Sequence, residues 1–296
     1  MGKKKKKDDL PEGMTRRQAK LAARAAERAA LEKDPRPFGG LEAETTLIGL
    51  QHFVPAATAE IEVKGEKVTL CTILPGAVAA LVRDNGERMV ALQSRQLSQN
   101  PGRDLAYRLE WVLDAQPGAS LEVGLADGNQ PKLTDIFPAG PITPTILDNF
   151  NWWVADGVQV DAGTKQLIEQ ANAAMTPTHL IDLPVTGTVM WFDAGDKAFI
   201  RWVRPDDEET LLRSLARAAA ADKLSLGDDT KFAGVFRTDG VLVPVWDLDP
   251  TVTHLEYDDA IKAVDEFLAA DASNDKELTS QERRKLENIK SRQVTI

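Results

Sequence analysis

From Val185 to Arg204 the chain reads VTGTVMWFDAGDKAFIRWVR, and from Lys231 to Leu248 it reads KFAGVFRTDGVLVPVWDL. Each stretch is a pair of β-rich runs around an Asp/Gly turn. Asp193-Ala194-Gly195-Asp196 and Thr238-Asp239-Gly240 suit such turns. Asp tolerates left-handed backbone, and Gly enters it without a steric penalty. Each pair of runs therefore predicts a hairpin. Between them, Pro205-Asp206-Asp207-Glu208-Glu209 predicts a helix start, because carboxylates in a first turn oppose the helix dipole. Leu211, Leu212, Leu215, Ala218 and Ala219 then recur at helical spacing, with Arg213 and Arg217 expected outward. Pro244 has no N–H to give a ladder, so its run is expected at a sheet edge. The region from Leu183 to Leu248 thus predicts hairpin, helix, hairpin.

The region from Ala77 to Phe137 carries the same pattern. Val78–Val82 and Met89–Leu92 flank Asp84-Asn85-Gly86, and Pro101 opens a helix with Leu105, Leu109 and Val112. Leu121–Leu125 and Leu133–Phe137 flank Ala126-Asp127-Gly128-Asn129, a further expected hairpin. The expectation is an α+β fold of two tandem similar halves. Each half would run helix, antiparallel strands, helix, hairpin, helix. Residues 39–141 form the first half and 142–271 the second. Residues 1–38 are expected to be a disordered basic tail plus an Ala/Arg-rich helix, and 272–296 a peripheral C-terminal helix capped by Ser280. Glu42–Phe53 and Thr164–Met175 are the expected opening helices, the latter with Leu167, Ile168 and Ala171 inward. Thr145–Val154 and Asp258–Leu268 are the expected closing helices.

The chain has 296 residues, 43% of them hydrophobic, enough to bury real cores rather than remain disordered. Its net charge of −10 is uneven. Residues 1–36 hold 12 Lys/Arg against 6 Asp/Glu, a balance of +6, which leaves 24 against 40, a balance of −16, for the rest. An acidic body disfavours a broad nucleic-acid face, whereas the arm suits phosphate backbones. Its cations are Lys3, Lys4, Lys5, Lys6, Lys7, Arg16, Arg17, Lys20, Arg24 and Arg28. With few aromatics for base stacking, contact with RNA, the ribosome or DNA would be sequence-independent and salt-sensitive. Asp8, Asp9 and Pro11 interrupt any signal peptide, and no apolar run is long enough to span a membrane, so the expected location is cytoplasmic.

Chemical signatures are sparse. One cysteine, Cys71, excludes an internal disulfide and a four-cysteine metal site. His52, His179 and His254 are far apart in sequence, and each reads as a loop or surface residue. A nucleophile elbow, a Walker A loop and a Rossmann fingerprint are all missing from the sequence. Asp247, Asp249, Asp258 and Asp259 read as turn and cap residues rather than a magnesium site. No cofactor and no metal is expected. Trp152 and Trp153 cannot both face one core, and Trp202 lies between Arg201 and Arg204, so these five residues form the expected binding patch.

In each half the element order resembles the type III secretion chaperone-like modules, including bacterial proteins of the YbjN type. Gly240–Pro244 running into Asp258-Asp259-Ala260-Ile261 is the part that resembles them most. The resemblance implies modules that bind other proteins or pair with themselves, and are not usually enzymes. The stretches Pro11–Lys20, Glu32–Phe38 and Phe53–Ala59 are similar to an actinobacterial family of unknown function (domain of unknown function, five-nine-two-six). The expected function is therefore a non-enzymatic binding protein with a basic arm, acting on a protein partner or itself. The alternative is an enzyme or small-ligand sensor with a pocket between the halves, using Trp152, Asp156, Arg201 and Arg204.

Overall fold

The computed structural model describes Leu21, residues 33–154 and residues 157–296. The ten arm cations named above, and Asp156, lie outside the described residues. Among the described residues the fold is α+β, with seven helices and two mixed six-stranded sheets. That layout is compatible with two similar halves.

A short helix lies between the sheets. In α1 (Glu44–His52) Leu47, Ile48, Gly49, Leu50 and Gln51 are all buried, so no face is left for solvent. Beneath it the first sheet runs β5-β3-β4-β2-β1-β6, built from β1 (Ala57–Val63), β2 (Glu66–Ile73), β3 (Ala80–Val82), β4 (Arg88–Gln93), β5 (Ser120–Leu121) and β6 (Thr145–Ile146). β1 and β2 pair antiparallel around Lys64-Gly65, whereas β2 pairs parallel with β4. Alternation along the strands sends Val68, Leu70, Val90 and Leu92 towards α1, and Cys71, Met89 and Ala91 to the opposite face. The helix α2 (Pro101–Asp114) covers the α1 side with Leu105, Leu109 and Val112.

The second sheet runs β12-β10-β11-β9-β8-β7. Its order along the chain is α4 (Ala162–Ala173), β7 (Thr178–Ile181), β8 (Thr188–Asp193), β9 (Ala198–Val203), α5 (Glu208–Ala220), β10 (Lys231–Thr238), β11 (Val241–Leu248) and α6 (Asp258–Asp271). This is the predicted helix, three strands, helix, hairpin, helix. The helix α7 (Ser280–Lys290) and β12 (Val294–Thr295) follow, with β12 parallel to β10. α5 and α6 pack on one face, burying Ile200, Trp202 and Trp246. Met190, Phe192, Val203 and Val243 on the other face join the core around α1.

Small residues and polar contacts fix α1 to the second sheet. A Cβ on Gly49 would sit 2.9 Å from Met190 Sδ, so glycine permits the close approach to β8. Thr45 and Thr46 hydroxyls bond Thr188, and His52 Nε2 lies 2.7 Å from Asp239 Oδ2. Arg36 forks onto Glu44 at 2.6 and 2.7 Å and donates to Pro205 O.

Several expectations need correction. Leu121–Leu125 and Leu133–Phe137 do not form a hairpin: β5 has two residues, and Leu133–Ile136 is a helical turn, α3. A five-residue apolar run carries too few periods to separate helix from strand. Thr145–Val154 is not a closing helix but β6 followed by a 3₁₀ turn, Asn151–Trp153. Pro244 lies in a central strand, β11, between β10 and β9. The β9–β11 ladder stops at Val245–Arg201 and resumes only as a bridge at Arg204–Leu242, so proline sits where the ladder lacks a bond. Arg217, expected outward, is buried, because it binds Asp271, Asn274 O and Lys276 O in the segment closing over it. Thr279, not Ser280, caps α7, in a reciprocal capping box with Glu282.

Candidate functional site

One open region of the body lies on the face of the first sheet turned away from α1. Its covering is partial: α4 and the 150–154 turn lie over only part of it. Phe150 N–H donates to Asn172 Oδ1 at 2.7 Å, and Asn172 Nδ2 donates to Asn151 Oδ1 at 3.2 Å, which pins α4 to the turn. Trp153 stacks at a tilt on Phe150, 4.6 Å between centroids, and its Nε1–H donates to Ile73 O. Asp161 caps α4 through Gly163 and Thr164 N–H groups. The Thr164 hydroxyl and backbone bonds hold the Asp161 carboxyl below the usual carboxylate range.

Between α4 and the β3–β5 side remains a groove of about 830 Å³. Leu81, Trp153, Val154, Val160, Ile168 and Ala171 give it an apolar lining. Arg83, Asp84, Asn85, Ser120 and Thr164 supply the polar side chains among its lining residues. Arg83 is fixed by Glu87 Oε2 and Trp152 O, both at 2.7 Å. Of the helix residues expected inward, Ile168 is buried and Ala171 half-buried, whereas Leu167 is 65% exposed; Val158, before the helix, is 57% exposed. Adjacent helical residues diverge by about 100°, so Leu167 and Ile168 cannot share one buried direction. The lining is mostly apolar, with a few polar side chains among it.

The expected patch does not form as one surface. Trp202 is fully buried against Trp246, and its Nε1–H donates to Thr186 O at 2.8 Å. Arg204 is also buried, held by Asp206 and Asp265 with its guanidinium 4.8 Å from the Trp202 ring. Arg201 points to the opposite face, the one turned towards α1. Trp152 and Trp153 are half-buried beside the groove, with rings 6.3 Å apart at 68°. The Trp152 Nε1–H is buried without a partner. Only the Trp pair thus belongs to the groove region, so the alternative pocket built on Arg201 and Arg204 is not assembled there.

Two further arrangements escape sequence reading. His179 and His254, distant in sequence, stack with centroids 4.2 Å apart beside Trp191. Burial, then the charge of His179, holds the His254 imidazole below its ordinary value. Second, α5 and α7 frame a cleft of about 940 Å³ lined by both signs of charge, including Glu208, Arg213, Arg283 and Glu287. Among the described residues no group of three or more His, Cys, Asp or Glu is placed to hold a metal ion. Asp249 instead bonds Thr251, and Asp258 and Asp259 occupy the first turn of α6. Burial pushes the Cys71 thiol far up, so the reactive thiolate is suppressed. No described helix is long and apolar enough to cross a membrane.

No curated protein and no solved structure matches the chain. Residues 37–296, nearly the whole described body, match the Family of unknown function (DUF5926), and the chain belongs to that family.

Proposed function

We propose that this is a non-enzymatic binding protein whose body seats an apolar stretch of a partner protein in the groove between α4 and the first sheet. The observation that carries the reading is Leu167, 65% exposed on the lip of a groove lined by Trp153, Val154, Val160 and Ile168. Apolar side chains around a depression with polar neighbours match the core-and-rim plan of protein interfaces. The chaperone-like resemblance points the same way, towards modules that bind proteins. The test compares partners recovered by wild type, Leu167→Glu and a form lacking residues 1–36, after confirming equal melting. A partner kept by the shortened form and lost by Leu167→Glu supports the groove. Recovery of the same set by all three proteins refutes it.

The groove volume of about 830 Å³ also lies within the range of small-ligand sites, which favours a ligand sensor as the second reading. Native mass spectrometry of the purified protein distinguishes the two, because a retained apolar molecule lost in Leu167→Glu supports the sensor. The basic arm, with its balance of +6 beside a body of −16, would hold phosphate backbones of RNA or DNA. Its removal is expected to abolish a salt-sensitive, sequence-independent binding. Equal binding with and without residues 1–36 would leave the arm as a solubilising tail.

A further inference from the structure

Among the described residues the most deeply buried arginines are saturated by acceptors, and half-buried Arg201 is not. Arg108 donates to Gly124 O, Ala91 O, Leu92 O and Ser94 Oγ. Arg204 is held by two aspartates, and Arg217 by Asp271 and two backbone carbonyls. Arg201 is half-buried and paired through its backbone in β9, yet no described residue hydrogen-bonds or ion-pairs with its guanidinium. Its Nε–H is buried with no acceptor. Three rings surround it instead: Phe192 at 4.8 Å, Phe53 at 5.1 Å and Phe236 at 5.6 Å from the guanidinium carbon. These rings come from β8, from the turn after α1, and from β10, so the collar is assembled where α1 meets the second sheet.

This geometry has a chemical meaning. The rings approach as cation–π partners, which stabilise the charge but accept no in-plane N–H bond. The fork of N–H donors, the part of arginine that matches a planar carboxylate, is left unused. Desolvation lowers the Arg201 pKa from its ordinary value, so the site holds a charge at a cost to the fold. Asp247, on the same sheet face across from Phe199, is 4.0 Å from Lys197 and makes no ion pair with Arg201. Phe199, two residues from Arg201 on β9, shares that face and is half-buried.

We propose that Arg201 and its phenylalanine collar form a binding site for a carboxylate carried on an apolar body. The fork takes the two carboxylate oxygens, and the collar with Phe199 takes the apolar part. A phosphate dianion fits less well, because a single fork leaves most of its oxygens without donors in a partly dry site. The site lies on the α1-facing side of the second sheet, away from the groove, and is independent of the groove reading.

Thermal melting tests it directly. Wild type, Arg201→Met and Arg201→Gln are melted with phenylacetate, its neutral amide, or inorganic phosphate, at matched ionic strength. Without ligand, Arg201→Met is expected to melt above wild type, because an unpaired half-buried charge is replaced by a side chain that packs on the collar. Phenylacetate at tens of millimolar is expected to raise the wild-type Tm and leave both variants unmoved, and the amide and phosphate to raise none. If Arg201→Met fails to fold, Arg201→Gln carries the comparison, since it keeps polarity and length without charge. An equal phenylacetate response in wild type and variant, an equal response to phosphate, or no response in wild type overturns the assignment.

Discussion

The two sheets are covered to different extents. The second is packed on both faces, by α5 and α6 on one side and by the α1 core on the other. The first is packed by α1 and α2 on one face, while among the described residues its other face holds two small clusters, around Cys71 and Phe150, and the open groove. Sheets of equal strand number thus serve different ends. The second sheet is covered on both faces, and the first leaves apolar side chains open at the groove. Their wiring differs in step, since strands β7 to β11 of the second sheet are antiparallel neighbours, whereas β2 and β4 of the first are parallel.

Paired truncations give the hardest test of that contrast. Trp202→Ala, in the doubly covered sheet, is expected to cost about 3–5 kcal/mol in urea denaturation. Trp153→Ala, half-buried beside the groove, is expected to cost less than about 2 kcal/mol. Equal losses would erase the distinction between closed and open faces. Asp265→Ala removes one of two carboxylates on buried Arg204; with Asp206 remaining, the expected loss is about 2 kcal/mol rather than the full penalty of an unpaired charge. Gly49→Ala pits better helix propensity against a Cβ placed 2.9 Å from Met190 Sδ, and a net loss of roughly 1 kcal/mol is expected by the same assay. A stabilised variant would show that α1 does not press tightly on β8. Leu167→Glu on the open face is expected to change stability by less than about 0.5 kcal/mol.

The smallest effect is a titration. His254 has a folded pKa below its unfolded value, so its neutral form is favoured by folding. Its contribution is therefore complete above the unfolded value of about 6.5 and is lost as pH falls from there through the folded pKa. NMR titration should place the His254 midpoint below the ordinary histidine value and move it upward in His179→Ala. An unmoved midpoint would remove His179 as a cause.

How much of this was legible in the sequence depended on the length of the signals. The hairpin–helix–hairpin of the second sheet was readable because Asp193–Asp196 and Thr238–Gly240 punctuate long β-rich runs, and Asp207 caps α5 as its position suggests. β5 and β6, two residues each, carry no periodicity to read. Trp202 looked like a surface residue because arginines flank it in sequence. In a strand Arg201 faces the other way, whereas Arg204 shares the Trp202 face and finds its aspartates at Asp206 and on distant α6. The groove was illegible for another reason. Its lining comes from residues 75–85, 118–120 and 153–171, which only the folded sheet brings together. Leu167 beside Ile168 was the available hint, because one of two adjacent leucine-like residues on a helix must leave the buried stripe.

The helix wedged between the sheets has a consequence for how the molecule comes apart. α1 precedes every described strand in the chain, yet Gly49 and Thr45 seat it on β8, across a large loop of sequence. Unfolding either sheet strips the shared helix of half its packing and exposes Met190, Phe192 and Val243 on the other side. The two sheets should therefore melt in one cooperative transition, with a calorimetric enthalpy equal to the van't Hoff value. Proteolytic separation near residue 141 should leave two fragments that remain associated rather than two that drift apart.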